Sequence, residues 1–114
     1  MLGSMPGKLT THVLDTAHGN PAPGVLIELL QNGETIASCT TNADGRCPEP
    51  LLADTNAISG PAQLLFHIGD YFRAQDTPSP FLDVVPVSFQ ITPGENYHVP
   101  LVCSPWSYST YRGS

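Results

Sequence analysis

Short apolar segments separated by turn residues run through almost the whole chain, and this punctuation limits the fold more than any other feature. Twelve prolines and ten glycines divide the 114 residues into seven or eight segments of strand length and one short helical segment. Short strands at regular spacing, bounded by turn signals, are typical of antiparallel sandwiches. The sequence therefore predicts an all-β fold, an antiparallel β-sandwich of seven to eight strands with one short helix.

Alternation of side chains locates the first strand and its two faces. In the segment 9–14, Leu9, Thr11 and Val13 share one face, whereas the residues between them point the other way. The other strands are predicted from apolar, β-rich segments that are bounded by turn residues. The expected strands are 9–14, 25–31, 35–41, 63–68, 83–91 and 96–102, with shorter ones near 49–52 and 107–110.

Two turns and one helix complete the predicted elements. Asn32-Gly33 predicts a tight hairpin, because both residue types accept the positive φ of a primed turn. A second turn at 42–45 ends in Asp-Gly and presents Arg46 at its exit. Residues 70–75 predict a short helix with Asp70 as its cap.

Charge excludes several classes of partner. The net charge is −6, and the only lysine and arginines are Lys8, Arg46, Arg73 and Arg112, which argues against nucleic acid or an anionic membrane as partner. Charged residues make up 12% of the chain, against ~25% in typical soluble domains. The resulting neutral surface is compatible with burial in an oligomer.

The cysteines and the N-terminus bear on location. Cys39, Cys47 and Cys103 form an odd set without Cys-x-x-Cys spacing, which is a poor disulfide framework. We see no secretory signal and no apolar run near the ~20 residues of a membrane span, so we expect a cytoplasmic protein. Residues 1–4, before Met5, are interpreted as a remnant of an expression vector, leaving 5–114 as one domain.

Three residues are candidates for chemistry. His12 and His98 each point away from the apolar residues beside them, so both can lie on an exposed sheet face. Spacing does not make their strands neighbours, and two ordinary surface histidines are the alternative. Arg46 follows a turn, where an arginine is usually a solvated loop residue.

The remaining polar residues suggest no second chemistry. His18 lies in a turn and His67 in an apolar strand, and both are expected to be structural or on the surface. The sequence contains no Cys-x-x-Cys or His-x-x-x-His pair, so we do not expect a zinc site. It also lacks a Gly-x-Ser-x-Gly elbow, so we do not expect a covalent serine mechanism.

The C-terminal stretch 104–114 is unusual for a chain end. It carries Trp106, Tyr108, Tyr111 and Arg112, although solvated segments are poor in aromatic residues. We therefore expect this tail to be docked. Arg112 can contact a ligand or pair with a carboxylate that holds the tail, and we favour the second role.

Four separated motifs, in this order, resemble the 5-hydroxyisourate hydrolases, the enzyme branch of the transthyretin-like family. Together they span nearly the whole chain, which makes the resemblance specific. They are Leu9-Thr-Thr-His-Val-Leu-Asp15, Tyr97-His-Val-Pro-Leu101, Ser104-Pro-Trp-Ser-Tyr-Ser109 and Tyr111-Arg-Gly-Ser114.

The resemblance implies a fold, a reaction and a site. The fold is the transthyretin-like sandwich. The reaction is hydrolysis of 5-hydroxyisourate to 2-oxo-4-hydroxy-4-carboxy-5-ureidoimidazoline in urate and purine degradation, by water attack on a ring carbonyl without metal or organic cofactor. The implied catalytic residues are His12, His98 and Arg46, and the implied substrate-binding residues are Arg46, Tyr111 and Ser114. Which histidine is the general base stays open.

The same resemblance implies a quaternary structure and leaves one alternative function. The expected assembly is a homotetramer, a dimer of dimers, with active sites where the dimers meet. The alternative is a carrier that binds a small aromatic ligand in the tetramer channel without catalysis. His12, Arg46, His98 and the terminal tetrapeptide favour the enzyme, because the carrier branch lacks this set.

Overall fold

The computed structural model describes residues 7–113, so the predictions for residues 1–4 and for Ser114 lie outside the described residues. Eight strands, one α-helix and one 3-10 turn make up this part of the chain. In chain order they are β1 Leu9–Asp15, β2 Asn20–Pro21, β3 Leu26–Gln31, β4 Glu34–Thr40, the 3-10 turn Thr55–Ala57, β5 Gly60–His67, α1 Ile68–Ala74, β6 Val84–Ile91, β7 Tyr97–Cys103 and β8 Tyr108–Thr110.

The strands form two four-stranded sheets that pack face to face, which confirms the predicted β-sandwich. The first sheet has the order β2-β1-β7-β8 and the second the order β4-β3-β5-β6. All neighbours are antiparallel except β1 and β7, which run parallel with Thr10 opposite His98. This parallel pair joins the two ends of the chain at the centre of the first sheet.

The core lies between the sheets and follows the predicted alternation. In β1, Leu9, Thr11 and Val13 are buried, and in β7 so are Tyr97, Val99 and Leu101. Each aliphatic side chain removed from water in this way contributes about 1.5–3 kcal/mol. The second sheet and α1 supply the facing side chains, which are Ile27, Leu29, Leu64, Phe66, Ile68, Phe72, Val85 and Val87.

Both predicted turns are present. Asn32 has a φ of 54° and Gly33 a φ of 79°, as the hairpin between β3 and β4 requires. Gly45 has a φ of 74°, and a Cβ at this position would collide with the carbonyl oxygen of Val13. Glycine is therefore needed at the position that precedes Arg46.

The predicted helix cap was wrong. The helix α1 begins at Ile68, directly after β5, and its capping residue His67 makes no side-chain capping bond. The start is set by a tertiary contact instead, because the Gly69 N–H donates to the Asp83 carbonyl at 2.8 Å. Asp70 lies within the first turn and accepts a hydrogen bond from Arg73 at 2.9 Å.

The expectation of a poor disulfide framework was also wrong. Cys39 and Cys47 are joined by a disulfide, with their Cα atoms 5.9 Å apart. The turn after β4 folds the chain back on itself and brings together two cysteines that are eight residues apart, a proximity that Cys-x-x-Cys spacing does not detect. Cys103 is buried as a free thiol.

Other differences are small. The segment 49–52 makes only an isolated bridge, between Leu52 and Leu9. The strand expected from residue 63 begins at Gly60. Between residues 7 and 113, no helix is long and apolar enough to cross a membrane.

Candidate active site

The parallel pairing of β1 and β7 brings the two candidate histidines onto one surface. His98 lies opposite Thr10, and His12 lies opposite Pro100 two positions further along. Both histidines alternate with core residues and are half-buried on the outer face of the first sheet. The sequence could place each histidine on a face, but only the strand order makes them neighbours.

His12 is tied to the segment that carries Arg46. The backbones of His12 and Arg46 form a β-bridge, and the Val13 N–H donates to the Gly45 carbonyl at 2.8 Å. The His12 Nε2 lies 2.9 Å from the Asp44 carbonyl oxygen. Because a carbonyl can only accept, this Nε2 carries the proton and the Nδ1 of neutral His12 keeps its lone pair.

Arg46 presents an exposed positive charge beside the histidines. Its backbone is fixed by the turn, since its carbonyl accepts from the Asn42 N–H at 2.8 Å and its N–H donates to Asn42 Oδ1 at 3.2 Å. Arg73 and Arg112 form ion pairs with carboxylates, whereas within residues 7–113 the Arg46 guanidinium has no such partner. Its charge is therefore available to a ligand.

His98 sits in an electrostatic environment that disfavours its charged form. Burial lowers its pKa below the ordinary value, and the nearby charges of Arg46 and His12 lower it further. A lowered pKa keeps the imidazole neutral near neutral pH, which is the form that can accept a proton. Its Nδ1 lies 2.9 Å from the Thr10 hydroxyl.

The C-terminal tail is docked on His98. The Gly113 N–H donates to the His98 carbonyl at 2.7 Å, and a Cβ on Gly113 would lie 2.7 Å from His98 Cδ2. This approach leaves no room for a side chain, so glycine is required here by packing rather than by φ. The expected docking of the tail is confirmed up to this residue.

Arg112 anchors the tail. Its guanidinium donates to Glu95 Oε1 at 3.0 Å and to the Asn96 carbonyl at 2.8 Å, and it lies over the Tyr97 ring, 4.3 Å from the centroid. A cation over an aromatic face adds attraction to the ion pair. Of the two roles considered for Arg112, the pairing with a carboxylate is confirmed.

Tyr111 is not brought next to the histidines within one chain. It lines a cavity of about 390 Å³ together with Val87, Phe89, Tyr97 and Arg112, and Tyr97 belongs to the core face of β7 rather than to the outer face. Tyr111 is 60% exposed. Its predicted contact with substrate stays a prediction, as does that of Ser114, which is outside the described residues.

Sequence reasoning missed a second polar cluster at the end of β1. The buried Asp15 accepts hydrogen bonds from the Tyr71 hydroxyl at 2.6 Å, from His18 Nδ1 at 2.5 Å and from the His18 backbone N–H at 3.0 Å. Burial alone raises the pKa of Asp15, but these hydrogen bonds outweigh it and hold the pKa below the ordinary value. The signal in the sequence was an aspartate on the apolar side of the strand alternation.

The other histidines have structural partners, as predicted. His18 binds Asp15, and His67 Nε2 donates to Glu28 Oε1 at 2.6 Å on the second sheet. No group of three or more histidine, cysteine or acidic residues within 7–113 is placed to hold a metal ion. We call His12, Arg46 and His98 the outer-face cluster. It has two histidines and a guanidinium without a carboxylate partner among residues 7–113, and the tail is docked beside it.

Comparison with known proteins identifies the family of this arrangement. The sequence profile of transthyretin, described as the HIUase/Transthyretin family, matches residues 9–113. The chain belongs to this family. The match includes β1 with His12, the turn after β4 that leads to Arg46, and β7 with His98.

Curated relatives within the family are enzymes by name. The 5-hydroxyisourate hydrolase of Pseudomonas aeruginosa is 51% identical over 95% of this chain and 92% of its own length. That of Mesorhizobium japonicum is 50% identical over 95% of this chain and 93% of its own length.

Similar solved structures include two that are named as enzymes and a transthyretin solved with thyroxine. The 5-hydroxyisourate hydrolase of Klebsiella pneumoniae has a TM-score of 0.85 at 35% identity, covering 95% of this chain and 99% of its own. Sea bream transthyretin, solved with thyroxine, has a TM-score of 0.82 at 27% identity, and the match covers 93% of this chain and 94% of its own. An (S)-allantoin synthase scores 0.88 at 41% identity over 97% of this chain, which spans only 45% of that longer chain.

Proposed function

We propose that this protein hydrolyses 5-hydroxyisourate to 2-oxo-4-hydroxy-4-carboxy-5-ureidoimidazoline in urate degradation. The observation that carries the proposal is the outer-face cluster, in which Arg46 bridges to His12, both lie near His98, and Gly113 is docked on His98. The 50–51% identity to relatives named as this hydrolase supports it. The geometry offers bases and a fixed cation, which are the groups needed to open a cyclic amide with water.

Each residue of the cluster has a role in this reaction. A histidine with a neutral ring takes a proton from the attacking water, and the lowered pKa of His98 favours it for this step. The exposed guanidinium of Arg46 holds the urate-like ring through paired hydrogen bonds. It also stabilises the negative charge that develops on the attacked carbonyl oxygen. Tyr111 and Ser114 complete the substrate contacts, and no metal or organic cofactor takes part.

The proposed assembly is a homotetramer, a dimer of dimers, with the outer-face clusters at the dimer–dimer interface. Large apolar side chains remain exposed on the single chain, among them Phe81 at 69%, Trp106 at 62% and Tyr111 at 60%. In the proposed tetramer, these side chains are buried against another copy. Light scattering coupled to size exclusion tests the assembly, and a monomer at micromolar concentration would contradict it.

The proposed location is the cytoplasm. The Cys39–Cys47 disulfide counts against this location, because such bonds are rare in reduced compartments. Trapping free thiols in cells with an alkylating reagent, followed by mass measurement, tests it directly. Three alkylated cysteines are expected for a cytoplasmic protein, whereas a single one at Cys103 would contradict the proposal.

A carrier of small aromatic ligands is the second candidate. Sea bream transthyretin, solved with thyroxine, shares the fold at 27% identity. The charged outer-face cluster and the higher identity to the named hydrolases favour the enzyme.

The test is the decay of freshly made 5-hydroxyisourate, followed by ultraviolet absorbance with and without protein, after subtraction of the spontaneous reaction. The hydrolase accelerates the decay, and Arg46→Ala removes most of this acceleration. Arg73→Ala is the matched control, because Arg73 is an exposed arginine that is already paired with Asp70 and Asp83. Decay at the spontaneous rate in the presence of folded protein would rule out the enzyme.

A further inference from the structure

Thr10 is the residue in direct contact with the ring of His98. The two residues lie opposite each other in the parallel pair of β1 and β7, and the Thr10 Oγ1 lies 2.9 Å from His98 Nδ1. Threonine is branched at Cβ, so its side chain has few rotamers in a strand. The hydroxyl is therefore held at a fixed place beside the ring.

The two histidines of the outer-face cluster have different ring nitrogens engaged. In His12, Nε2 is bound to the Asp44 carbonyl and Nδ1 is left free. In His98, Nδ1 is bound to Thr10, and Nε2 is the nitrogen left for a water molecule. A neutral imidazole has one N–H and one lone pair. A carbonyl partner can only accept and so fixes which nitrogen carries the proton, whereas a hydroxyl partner can donate or accept, so the direction of the Thr10 bond sets the state of His98 Nε2.

We propose that Thr10 is a positioning residue for His98, whose hydroxyl oxygen accepts the Nδ1–H and so leaves the lone pair on Nε2. This inference rests on the proposed hydrolase function. It makes His98 the general base and gives the two histidines opposite tautomers. His12, with its Nε2–H directed at the Asp44 carbonyl, helps to orient the water and the substrate.

The reaction step balances with these groups. The water proton passes to His98 Nε2 while the water oxygen bonds to the ring carbonyl carbon, and the carbonyl electrons move to the oxygen held by Arg46. The C–N bond of the ring then breaks, and its nitrogen takes the proton from Nε2. Throughout, the Nδ1–H stays on His98 and its hydrogen bond to Thr10 strengthens as the ring becomes positive.

The first measurement is the tautomer itself, by long-range ¹⁵N–¹H correlation in protein labelled at histidine. The His98 signals are assigned by their loss in His98→Gln. We expect Nδ1–H for His98 and Nε2–H for His12 in the free protein. An Nε2–H tautomer at His98 would overturn the inference whether or not the protein is active, so this result is independent of the proposed function.

The second measurement is kinetic and compares Thr10→Val with Thr10→Ser. Valine keeps the shape and removes the hydroxyl, so kcat should fall about tenfold while KM changes less than about twofold. Serine keeps the hydroxyl and should restore most of kcat. Thr35→Val is the control, because Thr35 likewise lies on a strand and forms a side-chain hydrogen bond, in its case to Glu28 on the other sheet.

These outcomes separate the two proposals. An unchanged kcat in folded Thr10→Val would overturn the role of Thr10 and leave the hydrolase function standing. If the wild-type protein has no hydrolase activity, the proposed function fails, and the general-base role of His98 fails with it.

Discussion

Two polar clusters each take one residue from β1, His12 in the first and Asp15 in the second, and they are built in opposite ways. The outer-face cluster, His12, Arg46 and His98, is half-buried or exposed, and each histidine has a ring nitrogen without a hydrogen-bond partner among residues 7–113. The Asp15 cluster, Asp15, His18 and Tyr71, pairs a fully buried carboxylate with three donors. The first cluster has ring nitrogens and a guanidinium that can bind a ligand. In the second cluster, the Asp15 carboxylate already accepts hydrogen bonds from its own neighbours and is closed to solvent.

The difference separates chemistry from stability. A buried polar group that loses a partner costs free energy of unfolding, because it cannot turn to water instead. A half-exposed group that loses its side chain costs little stability, since solvent replaces it. We therefore expect changes in the outer-face cluster to lower activity, and changes in the Asp15 cluster to lower stability.

The largest expected effect comes from the tail over His98. Deletion of residues 111–114 removes the Gly113 bond to the His98 carbonyl and the Arg112 anchor on Glu95. We expect a folded, still oligomeric protein with little or no hydrolysis. A C-terminal affinity tag should impair the enzyme far more than an N-terminal tag. Size-exclusion profiles and rates of the three proteins test this, and full activity in an assembled truncated protein would refute it.

Next in size are the side chains of the outer-face cluster. His12→Ala and Arg46→Ala should each lower the rate about 10²–10³-fold, because the first removes a group that orients the water and the substrate and the second removes a charge-stabilising donor. Neither side chain belongs to the core, so the unfolding midpoint should stay close to that of the wild type. Near-wild-type rates in both variants, with native circular dichroism, would show that the site lies elsewhere.

In the Asp15 cluster, Tyr71→Phe is the cleanest change. It removes one hydrogen bond to a buried carboxylate and keeps the ring, which is 4% exposed. Bonds to charged groups are worth about 1.5–3 kcal/mol, so the free energy of unfolding in urea should fall by that amount. The hydrolysis rate of the folded variant should not change. An unchanged midpoint would mean that the cluster does not stabilise the fold.

The smallest expected effect is a shift in pH dependence. The rate should fall as pH drops through the lowered pKa of His98, because the protonated ring cannot accept a proton. In Arg46→Ala, one cause of the lowered pKa is gone, so the acid limb of the residual activity should move to higher pH. An unmoved acid limb in Arg46→Ala would exclude His98 as the titrating base.

The lowered pKa of Asp15 acts at more acidic pH, where the stability that Asp15 contributes is lost as pH falls through that pKa.

Local patterns explain how much of the fold was predictable. The alternation in β1 identified its buried face, and Asn32-Gly33 identified the hairpin, because both depend on a few neighbouring residues. The start of α1 is held instead by the bond from the Gly69 N–H to the Asp83 carbonyl, and Asp83 lies fourteen residues after Gly69 in sequence. No short-range rule detects such a contact.

The candidate active site shows even more clearly that local sequence patterns do not predict long-range contacts. His12 and His98 were named by resemblance, but their adjacency comes from pairing of strands 88 residues apart in sequence, as in the bond of Thr11 to Val99. Thr10 was missed because its role follows only from that pairing. Asp15 was missed because its partner Tyr71 lies on the helix, and only packing of α1 on the first sheet joins them.

The central claim is that activity resides in the outer-face cluster and not in the Asp15 cluster. The most direct measurement is the rate of 5-hydroxyisourate decay with folded His12→Ala and with folded Tyr71→Phe, under identical conditions and at equal protein concentration. We predict a loss of about 10²–10³-fold for His12→Ala and a wild-type rate for Tyr71→Phe. A wild-type rate for His12→Ala, or a comparable loss for Tyr71→Phe, would contradict the account.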